Sequence, residues 1–171
     1  MDDNTFWNII DDAWNSESSL STFRDAVLAS IESESAKESF EQQYGDGDPC
    51  IPNESALMAS IDGSLNKLSQ EDLLAFDGIL ERKLFDIDRQ EIHEHTDGSD
   101  DGFLYCRGFI VAIGQKYYDS VNATPSTAML DWECEAMTYV SHYLYEKKFG
   151  DMPDTGISRE SFSNSEAWSD G

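Results

Sequence analysis

Apolar residues recur along the chain at steps of three and four, the spacing of one helix face, and no apolar–polar alternation persists. Phe6, Trp7, Ile10 and Trp14 follow a polar Asp-Asp-Asn-Thr start and predict a short amphipathic helix. Leu20, Phe23, Val27, Leu28 and Ile31 predict a second helix, with Ser19 or Ser21 as its N-cap. The polar stretch ESESAKESFEQQYGDGDP predicts one more helical piece that ends at the glycines, then a turn at Pro49 and Pro52. Leu57, Ile61, Leu65 and Leu68 make the next stripe. Ser69 with Asp72 three residues on resembles a capping box. It opens a helix carrying Leu73, Phe76, Leu80, Leu84 and Ile87.

After an acidic approach, Phe103, Leu104, Ile110, Val111 and Tyr118 predict a helix ending near Asn122. Glycine inside a helix costs about 1 kcal/mol against alanine, so Gly108 and Gly114 mark places where another backbone comes close. Met129, Trp132, Ala136, Val140 and Leu144 predict a last helix from about Ser126 to Phe149. Lys147 and Lys148 in its final turn oppose the negative end of the helix dipole, and Gly150 follows as the C-terminal stop. The fold class is all-α: about six helices in a single domain over residues 1–150. Residues 151–171 lack periodicity and form an acidic, polar tail, which Phe162 and Trp168 could pin to the body.

Composition adds a partner class. The chain has 171 residues, 39% of them hydrophobic and 12% aromatic, enough to build a core rather than a disordered chain. Thirty-five acidic residues against 11 basic ones leave a formal charge of −24. Such a chain repels nucleic acid phosphates and anionic membranes, which recruit clustered Lys and Arg. An electrostatically chosen partner would be a basic protein. Cys50, Cys106 and Cys134 form no C-x-x-C pair, so neither structural zinc nor a disulfide framework is expected. The first residues lack a basic and apolar leader, no stretch reaches the ~18 apolar residues of a membrane span, and a reducing cytoplasm is the expected location.

The densest chemistry is EIHEHTDGSDDGFLYCRG, residues 91–108. Imidazoles and carboxylates at His93, His95 and Asp97 could ligate zinc, manganese or iron, but the spacing matches neither H-E-x-x-H nor paired E-x-x-H. A helix entrance accounts for more of it. Ser99 can accept from free backbone N–H groups of the first turn, and Asp100 and Asp101 face the positive end of the dipole. Arg107, flanked by Tyr105, Cys106 and Phe109, should be partly buried and so needs a carboxylate. Asp100 or Asp101 would serve if the chain folds back, and Glu133 or Glu135 from another helix would serve equally. A structural ion pair is expected.

Other short matches carry little. Asp154-Thr155-Gly156 matches an aspartic-protease triplet, but that chemistry needs two such aspartates sharing a proton. Asp46-Gly47-Asp48 lacks the further oxygens of a calcium loop. Cys106 and Cys134 lie in apolar surroundings, where cysteine is inert packing. Trp7, Trp14, Trp132, Tyr139 and Tyr143 fall on helical stripes and are read as core.

Four segments together resemble the bacterial family called domain of unknown function 4240, over roughly residues 4–150. They are Phe6-Trp7 with Ile10, Leu68-Ser69 through Leu73 and Phe76, Ser99 to Arg107 with the aromatic at 109, and Glu135 with Tyr139-Val140. Cys106 stands where the family pattern has phenylalanine, and Phe109 where it has tryptophan. The resemblance implies no reaction, cofactor or partner. It does tie the Ser-Asp-Asp-Gly entrance to the arginine, which makes Ser99, Asp100, Asp101 and Arg107 the binding or structural centre. The function expected is that of a non-enzymatic acidic interaction protein, in its most concrete form an immunity-type or decoy inhibitor of a basic partner. The alternatives are an enzyme or metal protein using residues 91–107, and a small-ligand sensor with a pocket between helices.

Overall fold

In a computed structural model that describes residues 1–45 and 49–168, the stripes become nine α-helices, with no β-strand among the described residues. They are α1 (Asp3–Trp14), α2 (Ser18–Ser30), α3 (Glu34–Tyr44), α4 (Glu54–Leu65), α5 (Gln70–Asp86), α6 (Gln90–His93), α7 (Asp100–Ile113), α8 (Gln115–Ala123) and α9 (Glu135–Phe149). The Asp46-Gly47-Asp48 triplet lies outside the described residues. Helix α7 is the axle of a single compact domain. Eleven of its 14 residues are buried, as expected of a helix apolar nearly all round, and it packs against α5, α8 and α9. Trp14 at the end of α1 ties to it through an indole N–H donated to the Ala112 carbonyl at 2.6 Å.

The expected count of about six helices is too low for two local reasons. The acidic approach holds the one-turn α6. The helix expected over 103–122 also breaks at Gly114, whose φ of 109° and ψ of −179° leave the helical region. Arg24 crosses at that break, donating Nε to the Ile113 carbonyl at 2.7 Å and pairing with Asp11, and a Cβ on Gly114 would lie 2.5 Å from its guanidinium. The break therefore requires glycine.

The last helix starts at Glu135, not near Ser126. Pro125–Thr127 form a 3-10 turn, Asp131 takes a left-handed φ of 60°, and Trp132 drops out of the expected stripe. Its ring packs against Phe23, Phe40 and Phe109 with centroids 5.3–5.5 Å apart, joining α2, α3 and α7. Gly108 then lets the start of α9 lie on α7: the Cys134 N–H donates to the Tyr105 carbonyl at 3.0 Å, and a Cβ at 108 would meet the Cys134 carbonyl at 2.5 Å. Ser69 caps α5 by accepting from Asp72 N–H at 3.1 Å. Helix α2 instead begins at Ser18 with Glu17 at the cap position, so Ser19 and Ser21 lie inside its first turn.

Candidate functional site

The entrance of α7 is a self-contained capping cluster. Ser99 Oγ accepts from Gly102 N–H at 3.0 Å, while the Asp97 carboxylate accepts from Ser99 N–H at 2.6 Å and its hydroxyl at 2.5 Å. Those bonds hold the Asp97 carboxyl below its ordinary range. Gly102 lies directly beneath, where any Cβ would overlap the Asp97 carboxylate and the Ser99 hydroxyl. Asp100 accepts from Asp101 N–H at 3.0 Å, and both side chains are exposed. The Ser-Asp-Asp-Gly motif thus encodes a helix start.

Arg107 is fully buried, but its partners differ from those expected. Among the described residues it forms no ion pair with Asp100, Asp101, Glu133 or Glu135. It donates instead to the Leu84 carbonyl at 2.8 Å and to Ser161 Oγ at 2.9 Å, and its guanidinium stands 4.7 Å from the Phe103 ring centre. The reason is the nearby end of α5, whose last carbonyls have no intrahelical donors. Tyr118 hydroxyl, Arg107 and Asn164 amide cap Lys83, Leu84 and Phe85 in turn, at 3.2, 2.8 and 3.2 Å. Burial pulls the Arg107 pKa down to about 10, against the raising influence of Asp88 and Glu160. Ser161 in turn donates its hydroxyl to the Asp100 carbonyl at 2.6 Å. Asp100 and Arg107 are therefore joined, through the Asp100 backbone and a residue of the tail.

The tail, expected as a polar extension pinned by Phe162 and Trp168, is also docked through Arg159. Arg159 is 4% exposed and inserts between α5 and α9. Its Nη2 donates to Glu81 at 2.6 Å and to both Asp77 oxygens at 3.1 and 3.2 Å, its Nε to Glu81 at 3.1 Å, and its Nη1 to the Thr138 carbonyl. The Tyr139 ring centre is 5.3 Å from the guanidinium carbon. Ser141 donates to Asp77 at 2.7 Å, and Thr155 of the Asp-Thr-Gly triplet donates to Glu81. Close by, buried Asp88 accepts from the backbone N–H groups of Phe162 and Asn164 at 3.0 and 2.9 Å. One signal for this site was present in the sequence. Asp77 and Glu81 are one turn apart beside the apolar stripe of α5, and buried carboxylates at that spacing need a cation.

Tyr139 also borders an acidic groove. Glu54, Glu135, Ala136, Tyr139 and Tyr143 line an open groove of about 380 Å³ between α4 and α9. The two tyrosine rings stack with centroids 5.5 Å apart at 30°, and Tyr143 is 61% exposed, so it is surface rather than core. Tyr139 is half-buried and donates to Glu160 at 3.2 Å. Burial and the neighbouring Glu135 raise the Glu54 pKa; burial, Asp97, Asp131 and Glu135 raise that of Glu133. Each of these acids is influenced by other acids rather than by a cation.

Among the described residues the three metal candidates form no ligand set. His93 stands edge-on to the rings of Phe103 at 5.0 Å and Trp168 at 5.4 Å, His95 is exposed, and Asp97 is committed to Ser99. Among the described residues no group of three His, Cys, Asp or Glu side chains could hold a metal ion, and no helix is long and apolar enough to cross a membrane. Burial pushes the Cys106 thiol up to about 12 and the Cys134 thiol higher still.

No curated protein and no solved structure matches the chain. A family model matches residues 48–147, which take in the Leu68-Ser69 segment, the capping cluster, Arg107, Asp77, Glu81 and the Glu135–Tyr139 face, but neither the opening Phe6-Trp7 nor the tail. With more than half of its length so matched, the chain belongs to the family described as protein of unknown function (DUF4240).

Proposed function

We propose that this chain is an acidic interaction protein that binds a basic protein partner, as an immunity-type or decoy inhibitor would. The observation that carries the reading is the groove at Glu54, Glu135, Tyr139 and Tyr143, where carboxylates flank stacked aromatic rings. Carboxylates attract a Lys or Arg side chain and an aromatic face adds a cation–π contact, so the pair recognises a cation better than charge alone. Burial and mutual repulsion hold Glu54 above its ordinary pKa, and an arriving cation relieves that repulsion. The net charge of −24 speeds encounter with such a partner and makes the rate fall with salt.

Affinity capture from a native lysate at low salt tests the reading, with the wild-type chain beside an E54Q/E135Q/Y143A variant. The wild type should retain a basic protein that raised salt releases, and the variant should retain much less. Equal capture by both chains would refute the assignment to this groove.

A further inference from the structure

The C-terminal segment lies on the helices as a bound peptide lies in its groove. Between residues 151 and 164 it has no regular secondary structure and is held by anchors rather than by a hydrogen-bonded ladder. Arg159 fills the carboxylate pocket, the backbone N–H groups of Phe162 and Asn164 bind Asp88, and the rings of Phe162 and Trp168 pack on His93 at 6.0 and 5.4 Å. The receptor side chains Asp77, Glu81, Asp88, His93, Phe103 and Ser141 all fall within the family-matched residues 48–147, and the occupant falls outside them. Phe162 also holds a φ of 66°, a conformation that a phenylalanine backbone adopts only under constraint.

We propose that this groove is a binding site for an arginine-bearing peptide segment of a basic protein, and that the chain fills it in cis with its own Arg159. The pocket is cut for a guanidinium rather than an ammonium. Nε and Nη2 converge on Glu81, Nη2 reaches both oxygens of Asp77, Nη1 meets the Thr138 carbonyl, and the Tyr139 ring lies close to the guanidinium carbon. A lysine brings a single nitrogen and cannot make this planar fork. Asp77 is fully buried and Glu81 is 8% exposed, so an empty pocket would leave two desolvated carboxylates unpaired. Exchange of one arginine for another avoids that state, and a tethered occupant is the natural competitor of one arriving in trans. The site shares Tyr139 with the tyrosine-lined groove but is built on the carboxylates of Asp77 and Glu81, and it does not rest on that reading.

Fluorescence anisotropy on the full-length R159A chain tests it, with a labelled synthetic peptide of residues 151–168 and the same peptide carrying Arg159→Lys. The arginine peptide should bind R159A saturably and the lysine peptide much more weakly. The wild-type chain should bind the arginine peptide at least about tenfold more weakly than R159A does, because its own segment competes at high effective concentration. Equal binding of the two peptides, or no binding of either, would overturn the proposal. If R159A is unfolded after purification, N-ethylguanidinium at millimolar concentration must restore its helical circular dichroism, and failure to do so would overturn it equally. A competing interpretation, that Arg159 is only a fixed internal ion pair, requires the pocket to reject both added guanidinium and added peptide.

Discussion

Replacing Arg159 by methionine keeps most of the side-chain length and removes the charge from a pocket where Asp77 is fully buried and Glu81 is 8% exposed. Breaking a buried pair by deleting one partner costs about 3–5 kcal/mol, because the remaining charges stay desolvated. Against a total stability of about 5–15 kcal/mol that is a large fraction. Unfolding entropy of about 2.1 cal/mol/K per residue, taken over 171 residues, converts it to a fall in Tm of roughly 8–14 °C. Thermal and urea denaturation at neutral pH measure the two quantities. The triple variant D77N/E81Q/R159M should recover part of the loss, since the desolvated charges are gone while the buried amides still need hydrogen-bond partners. A deficit under about 1 kcal/mol would show that the pocket is not a buried charge cluster.

Arg107→Met should cost less than Arg159→Met, about 1–3 kcal/mol, since it uncovers the Leu84 carbonyl and frees Ser161 but breaks no ion pair; chemical denaturation reads the difference. Gly108→Ala should destabilise by about 1–3 kcal/mol despite alanine's higher helix propensity, because its Cβ would meet the Cys134 carbonyl at 2.5 Å; an unchanged Tm would refute the close approach. Ellman's reagent should label Cys50 alone in the native chain and all three cysteines in urea, because Cys106 and Cys134 are buried with raised thiol pKa values. Glu54→Gln should stabilise the isolated chain near neutral pH and make no difference below the unfolded carboxylate pKa. The raised native pKa means that ionised Glu54 opposes folding once pH exceeds the unfolded value, and a Tm series against pH checks the sign.

The parts of this molecule that could be read directly were those governed by one-dimensional periodicity. The stripe at 6–14 and most of those at 57–68, 73–87 and 103–122 became helices, and the caps at Ser69 and Ser99 formed because a serine before a free backbone N–H needs no tertiary context. The breaks were harder, since they answer to distant residues. Gly114 ends α7 because Arg24 passes there, and Asp131 turns left-handed so that Trp132 can reach Phe23 and Phe40. The docking of the tail through Arg159 was hidden for the same reason. Its aromatics were visible as anchors, but a lone arginine in a polar segment has no periodic signature, and its partners lie 78 and 82 positions away. The error over Arg107 also has a physical source. A buried guanidinium was expected to seek a carboxylate, while the uncapped end of α5 offered a carbonyl oxygen and the tail a hydroxyl.

The two buried arginines also reshape the meaning of the net charge. Among the described residues the core holds Arg107 and Arg159 against Asp77, Glu81 and Asp88, a net of −1, so two of the 11 cations are spent inside it. Others are tied to local partners: Arg24 to Asp11, Lys83 to Asp3, Lys116 to Glu32, and Lys148 to the Asn66 and Leu68 carbonyls. Among the described residues, Glu54 at the start of α4 and Glu133 and Glu135 at the start of α9 form no ion pair. Glu54 and Glu133 are held above their ordinary pKa by burial and by neighbouring carboxylates. Folding therefore works against repulsion at that face, and the strain is local rather than spread over the surface. A cation delivered there gains its own attraction and also removes the repulsion already present. On the proposed reading, that favours the tyrosine-lined groove over an equally acidic stretch whose charges are far apart.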